Sequence, residues 1–441
     1  MEKAEIVALL KENGIVGCGG AGFPTHAKID ERAKTIIMNC AECEPLLKLH
    51  RSLLSAYPHE ILSAFYEIGK AAGSTEMVIG IKKSYTSTIR VLNEHISAFP
   101  GMRIATLDKI YPAGDEVVLI YEATGKVVRP GGLPIEQGVA VFNVETCYNL
   151  YRAMHGEAVT DKLVTVTGEV KNPATVYLPI GSTVKDAIAL AGGATVKNPA
   201  FIMGGVMMGS LGSETTLITK TTNAIIVLPE DHLVVRKRQE DPKVSLRRAA
   251  ASCCQCRMCT DLCPRHALGH PIQPHLFMRA ATCKDVQDPN IFLNTFFCSS
   301  CGLCEMYSCF QGLSPRSLMA QYKAGLRAAG VKPPQVQAAS FSPEKRELRK
   351  APVDRLLARL NLTKYNVEAP LDMNIANVTQ VRIPMQMHIG APAIPTVQVG
   401  DTVTRGQIIG KAGNGLSVNI HTSLSGTVTA VDGKFVTVKR G

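Results

Sequence analysis

Residues 253–264 read CCQCRMCTDLCP, and residues 298–310 read CSSCGLCEMYSCF. The first run spaces its thiols as Cys253-x2-Cys256-x2-Cys259-x3-Cys263-Pro264. That is the bacterial ferredoxin pattern, in which three close thiolates wrap one 4Fe–4S cube and the fourth reaches the neighbouring cube. The second run, Cys298-x2-Cys301-x2-Cys304-x4-Cys309, carries one extra residue before its last cysteine and has Phe310 where proline is expected. The predicted wiring is crossed. Cys253, Cys256, Cys259 and Cys309 hold one cluster, and Cys298, Cys301, Cys304 and Cys263 hold the other. The x4 spacing makes Cys309 the ligand to check. Soft thiolates at these spacings select iron–sulfur or zinc; two tetrahedral zincs could use the same eight ligands, although zinc sites usually come as separated pairs. Cys254 and Cys283 are left over, and Cys18, Cys40, Cys43 and Cys147 lie elsewhere without metal spacing.

Fourteen cysteines, nine of them in these two runs, argue for metal in a reducing compartment rather than for disulfides. Around them the 441-residue chain is too long for one core, and with 46% apolar and 19% charged residues it reads as multidomain and globular. No run reaches the length of a membrane helix, and MEKAEIVALLKENG at the start is amphipathic rather than signal-like. The simplest expectation is a cytoplasmic protein. The formal charge of +11 gathers at Arg236-Lys237-Arg238, Arg247-Arg248 and Lys345 to Arg359. It reads as a solvated or docking face; no nucleic-acid motif accompanies it.

Five stretches follow. Residues 1–155 alternate helical segments with short apolar runs (TIIMN, 35–39; MVIGI, 77–81; GVAVFNV, 138–144), which predicts an α/β domain with a mostly parallel sheet. Residues 156–238 predict a β-grasp-like α+β module: a hairpin through Lys171-Asn172-Pro173, a helix from Ser182, a strand at AIIVLP, and FIMGGVMMGS (201–210) as a Gly/Met-rich loop. Residues 239–330 form a helical ferredoxin-like segment. Residues 331–378 are a Pro-rich linker and a basic helical stretch. Residues 379–441 are all β in pattern, with Gly-Asp and Asp-Gly turns.

The N-terminal domain also carries Gly17-Cys18-Gly19-Gly20-Ala21-Gly22-Phe23-Pro24-Thr25, dense enough in glycine for backbone N–H groups to approach a phosphate. Asn39-Cys40-Ala41-Glu42-Cys43-Glu44-Pro45 follows a predicted strand, at the carboxyl end where α/β ligands bind. GCGGAGFPTHAK (17–28), NCAECEP (39–45), YPAGDEVVL (111–119) and GGLPIEQGVAVFNVET (131–146) resemble, in order, the FMN- and NADH-binding elements of the respiratory complex I flavoprotein. They are more similar still to the RnfC protein of the Rnf electron-transport complex. LVTVTGEVKNPATVYLPIGSTV (163–184) resembles the SLBB β-grasp module. Met387-His388-Ile389-Gly390-Ala391-Pro392-Ala393, with VGDTVTRGQIIG and SGTVTAV, resembles the lipoyl-like barrel that opens the Rnf protein, yet here it closes the chain. Its hairpin tip, NIHTSLSG, has no lysine to carry lipoate or biotin. That permuted order is similar to the family of PduS-type cobalamin reductases of propanediol-utilisation microcompartments.

The resemblance implies non-covalent FMN, two 4Fe–4S clusters and NADH as donor. Gly17, Gly19, Gly20 and Gly22 would line the FMN phosphate and ribityl, with Lys28 offsetting charge. Asn39, Glu42 and Glu44 would hold the ribityl and isoalloxazine edge, and Asn143 and Thr146 would close the pocket. Ala41 stands where the complex I pattern has aspartate. Phe23 and Glu116 would meet the nicotinamide nucleotide, with Tyr111, Gly114 and Asp115 on the same loop. The implied activity passes electrons from NADH through FMN and the clusters to cob(III)alamin or cob(II)alamin, for regeneration of adenosylcobalamin. An adenosyltransferase and microcompartment shell proteins would be partners, inside a bacterial microcompartment. Flavin carries the redox chemistry, so no catalytic acid–base residue is expected. Two alternatives stay open: an Rnf-like NADH:ferredoxin electron-transfer protein, and a non-enzymatic SLBB/lipoyl-like scaffold with structural metal.

Overall fold

The structure is a computed structural model that describes residues 1–283 and 287–441. The N-terminal unit is built on four strands in the order Met102–Leu107, Glu76–Lys82, Thr35–Cys40, Val139–Asn143, with every neighbouring pair parallel. Side chains on a strand alternate faces, and the central strand shows the result. Ile36, Met38 and Cys40 join the core with Leu53 and Phe65, whereas Ile37 points to the opposite core with Val118 and Leu119. Because both faces are covered, the strands read as continuous apolar runs. The amphipathic N-terminal helix, Lys3–Glu12, buries Ile6 and Leu10 against this unit. All four strands end on one edge, and the glycine loop and the 39–45 loop lie there.

The second unit is a six-stranded mixed sheet. Asp161–Gly168 and Ala174–Pro179 form the expected hairpin, and Ala224–Pro229 runs parallel to the first of them. Helix Val184–Leu190 starts on a capping box in which Thr183 and Asp186 exchange side-chain hydrogen bonds. Two details differ from the sequence reading. Phe201, Ile202 and Met203 are not loop but the end of strand Pro199–Met203, paired with Ala224–Pro229; only 204–209 turns. The 331–378 stretch is not merely linker and helix, because Leu371–Ile375 adds a parallel edge strand to Ala174–Pro179. Its Ala351–Pro352 also pairs with Ile110–Tyr111.

In the third unit, helices Pro242–Ser252, Pro274–Thr282 and Pro315–Ala328 pack around Ala249, Phe277, Met278, Leu318 and Met319. Phe292 stacks on Tyr322 at 5.2 Å, with Phe277 edge-on to both. The C-terminal unit is two small sheets, one ordered Gln380–Pro384, Phe435–Lys439, Gly426–Val431, Thr402–Val403 and one joining Ile394–Pro395, Ile408–Lys411 and Ile420–His421. Val381, Ile383, Ile409, Val428, Val436 and Val438 fill the space between them. The 236–238 basic run does not all face solvent. Lys237 bonds Glu240 and Ser314, and Arg238 bonds the carbonyls of Gly209 and Val206.

Candidate functional site

The glycine loop is closed on itself by Gly17 N–H donating to the Phe23 carbonyl at 2.9 Å. Gly20 and Gly22 have φ of +65° and +67°, which only glycine adopts freely. Gly20 faces open space. At Gly22 a Cβ would come within 2.8 Å of the Met387 carbonyl, so the C-terminal unit presses directly on the loop. Thr146 clips the loop to helix Val144–Met154: its Oγ1 accepts from Cys18 N–H at 3.1 Å and donates to the Val16 carbonyl at 3.3 Å. Burial pushes the Cys18 thiol up to about 12, so it stays protonated and inert at neutral pH.

Lys28 reaches back over the strand edge. Its Nζ donates to the Val141 carbonyl at 2.9 Å, lies 4.0 Å from Glu116 and sits 5.8 Å from the Phe23 ring centre. Burial pulls its pKa down while Glu116 opposes the shift. Asn39 accepts from Ala41 N–H at 3.1 Å and donates to the Gly114 carbonyl at 3.0 Å; a Cβ on Gly114 would press on Cys43 at 3.1 Å. Asn143 caps helix Val144–Met154 through Glu145 N–H and contacts His50 Nε2 at 3.1 Å. Burial lowers the His50 pKa to about 3, which keeps the ring neutral. Glu42 has φ +44°, accepts from His50 N–H at 2.7 Å through one oxygen and leaves the other buried without a partner among the described residues. Thus Gly17 to Gly22, Phe23, Lys28, Asn39, Glu42, Gly114, Glu116, Asn143 and Thr146 gather at the carboxyl ends of the parallel strands.

Three expected pocket residues are engaged elsewhere. Glu44 accepts Met207 and Met208 N–H at 2.9 and 2.8 Å, one per oxygen, and so pins the 204–209 turn. Asp115 caps helix Glu116–Thr124 and forms a two-pronged ion pair with Arg265 at 2.9 and 3.0 Å, so its carboxylate is not free for a nucleotide. Tyr111 is buried, and its hydroxyl donates to the Cys301 carbonyl at 2.5 Å. The sequence reading missed three further neighbours. His50 lies beside Glu42 and Asn143. Asn223, with a buried unpartnered Oδ1, has its amide nitrogen 3.5 Å from where a Gly19 Cβ would lie. Lys220 donates to the carbonyls of Gly14 at 2.6 Å and Asn419 at 3.4 Å. No local signal marks Asn223 and Lys220, which arrive from the loop that precedes strand Ala224–Pro229 of the second unit.

The eight spaced thiols fall into two cavities. One is lined by Cys253, Cys256, Cys259 and Cys309, the other by Cys263, Cys298, Cys301 and Cys304. Among the described residues no three metal-binding side chains converge on a single-ion point; the thiols ring a space instead. The extra residue before Cys309 is taken up by a π-helical turn at Cys304–Ser308, the usual home of a one-residue insertion. Gln255, Arg257, Ser300 and Gly302 adopt left-handed turns within the cysteine runs, and the Ser300 N–H lies 3.3 Å from Cys298 Sγ. Burial and the thiols of Cys309, Cys256 and Cys253 push Cys259 up to about 12, a repulsion that bound iron would relieve. Cys254 and Cys283 are exposed. The donor sets fit two thiolate-held clusters. The open Gly20, the free Glu42 oxygen and the Lys28 cation fit a phosphate-bearing flavin.

Comparison with known proteins matches residues 10–152 to the Nuo51 FMN-binding domain, 163–210 to the SLBB domain, 252–314 to a 4Fe-4S dicluster domain and 366–440 to the RnfC barrel sandwich hybrid domain. Cobalamin reductase PduS of Salmonella typhimurium is 40% identical over 99% of this chain and 97% of its own length. The Citrobacter freundii cobalamin reductase PduS is 38% identical over 97% and 95%. The C component of the Na(+)-translocating ferredoxin:NAD(+) oxidoreductase complex of Acetobacterium woodii is 30% identical over 60% of this chain and 59% of its own. A crystal structure of an NAD+-reducing [NiFe]-hydrogenase in the H2-reduced state shares the fold at TM-score 0.50 and 21% identity, over 76% of this chain and 64% of that one.

Proposed function

The chain belongs to the cobalamin reductase PduS family, and from that premise we propose that this oxidoreductase draws electrons from NADH and delivers them to cob(III)alamin. The observation that carries the reading is the docking of the flavin-binding unit on the cysteine unit. Tyr111 bonds the carbonyl of Cys301, and Asp115 grips Arg265, two residues beyond Cys263. When bound, FMN accepts a hydride from NADH and releases electrons singly to the two 4Fe–4S clusters.

The residues then divide the work. Gly17 closes the loop on the Phe23 carbonyl so that it lines the flavin phosphate, Gly19, Gly20 and Gly22 offer backbone N–H groups to that phosphate, and Lys28 offsets its charge. Phe23 offers a face to the nicotinamide nucleotide, and Glu116 accepts from its ribose hydroxyls. Asn39 and Glu42 hold the flavin edge, and Asn143 and Thr146 fix the floor. Cys253, Cys256, Cys259 and Cys309 hold one cluster, and Cys263, Cys298, Cys301 and Cys304 the other. Gln255, whose amide lies 3.2 Å from Cys253 Sγ, stabilises a thiolate there. No helix among the described residues is long and apolar enough to cross a membrane. Residence within a microcompartment, beside shell proteins and an adenosyltransferase that takes the reduced cobalamin, completes the proposal.

The test is an anaerobic NADH titration followed by visible absorbance, with and without hydroxocobalamin. Flavin bleaching followed by the cob(II)alamin band supports the reading. Bleaching without corrin turnover moves the acceptor to a protein, and cluster-replete protein that neither carries flavin nor bleaches rejects it.

A further inference from the structure

The turn that carries Cys263 forms the wall of a second, larger space. Ala267 N–H donates to the Cys263 carbonyl at 2.9 Å, and Ala267 lines a cavity of about 630 Å³ that opens on one side. This volume falls in the range of small-molecule sites. The opposite wall is the 336–346 stretch, irregular chain up to Ser342 and then the start of helix Pro343–Glu347. Ala339 N–H donates to the Gly269 carbonyl at 2.8 Å, and a Cβ on Gly269 would come within 2.0 Å of the Ala339 carbonyl, so the two walls touch and fix the floor. Phe341 supplies an apolar face, held edge-on by Tyr121 at 5.5 Å. Gln273 and Asn294 line the cavity with side-chain amides. His266 lines it too, and its Nδ1 is buried without a partner among the described residues. Lys345, exposed at the rim, makes no ion pair among the described residues.

We propose that this cavity is where the corrinoid acceptor docks. The inference rests on the functional reading above and adds a place to it. A corrinoid presents a broad apolar ring face, a fringe of carboxamides and one phosphodiester. Phe341 and the floor suit the ring, Gln273, Asn294 and His266 suit the amides, and Lys345 suits the phosphodiester. Docking here brings the acceptor within one helical turn of Cys263, on the cluster side rather than the flavin side. The step is a one-electron transfer: cob(III)alamin gains an electron, loses an axial ligand and becomes cob(II)alamin. Over a full turnover, one NADH and two cob(III)alamins give NAD+, one proton and two cob(II)alamins.

The experiment dialyses oxidised holoprotein to equilibrium against hydroxocobalamin, and separately against cobinamide, which lacks the nucleotide loop and its phosphodiester. Ser340→Trp, on the exposed lip, obstructs the cavity mouth; Lys345→Glu reverses the rim charge. Unchanged cluster absorbance and thermal midpoint show that each variant is folded. Both variants should raise the hydroxocobalamin Kd, and the KM for NADH-driven reduction, by roughly tenfold or more. For cobinamide only Ser340→Trp should do so. A wild type that forms cob(II)alamin with a KM unmoved by either substitution overturns the site and leaves the function standing. A wild type that forms none overturns both.

Discussion

Glu42 and Glu44 are two residues apart and chemically identical, yet the fold gives them different work. Glu42 sits at positive φ, which turns its carboxylate inward toward His50, and one of its oxygens stays free. Glu44 points the other way and holds two backbone N–H groups of the 204–209 turn. Burial raises the pKa of both. Glu44→Ala should therefore cost about 2–3 kcal/mol of stability, read by urea unfolding, because two hydrogen bonds to a charged acceptor are lost, and it should leave flavin affinity nearly intact. Glu42→Ala should do the reverse, weakening FMN binding by roughly tenfold in a fluorescence titration with a smaller effect on unfolding. If both variants lost flavin equally, the division between them would be wrong. The motif NCAECEP places two acids at the strand edge, but residue types alone do not say which one turns inward. That choice is made by a single backbone angle and by a loop more than 160 residues away.

At the level of elements, helix Glu116–Thr124 begins where the flavin-binding and cysteine units meet. Asp115 accepts N–H from Val117 and Val118 and grips Arg265, so one carboxylate both starts the helix and docks a domain. Asp115→Ala removes the cap and strands a mostly buried guanidinium, for an expected loss of about 3 kcal/mol or more in chemical denaturation. Asp115→Asn keeps the cap and should recover about 1 kcal/mol of it. The π-helical turn at Cys304–Ser308 makes a sharper prediction. Deleting Ser308 restores the commoner x3 spacing, yet it should cut iron and acid-labile sulfide by about half or more, because the turn brings Cys309 to its cavity. Full loading of the deletion would show that the extra residue is idle. Helices and strands with strong periodicity were legible in advance, and so was the parallel sheet. The edge strand Leu371–Ile375 was not: it pairs in parallel with a strand almost 200 residues earlier, and such pairing leaves no local trace.

For the whole molecule, Lys220 stands where three units meet. It is fully buried, bonded to carbonyls of the N-terminal and C-terminal units, and burial pulls its pKa down to about 7. The unfolded chain holds that proton up to about pH 10. Between these limits the unfolded state binds more protons than the folded one, so stability rises with pH across the window. Relative to Lys220→Met, the native protein should gain up to about 1.4 kcal/mol per pH unit from pH 7 to 9, measured as the difference between the two unfolding curves. Parallel curves would place the lysine in a wetter site than this junction. The packing of the C-terminal unit on Gly22 was equally hidden in the sequence, since nothing in MHIGAPA names the loop it covers.

The crossing of the two cysteine runs also bears on how the protein is made. Each cavity takes three thiols from one run and its fourth from the other: Cys309 with the first run, Cys263 with the second. On the ribosome, a nascent chain that has exposed residues 253–263 but not 298–309 therefore has no complete ligand set for either cofactor. Both insertions must wait for the later run to emerge. From then on, each loaded site ties together the same two pieces of chain, so filling one pre-arranges the other. Maturation should run as a pair, with chains carrying both clusters or neither and few in between, whatever the supply of iron in the cell.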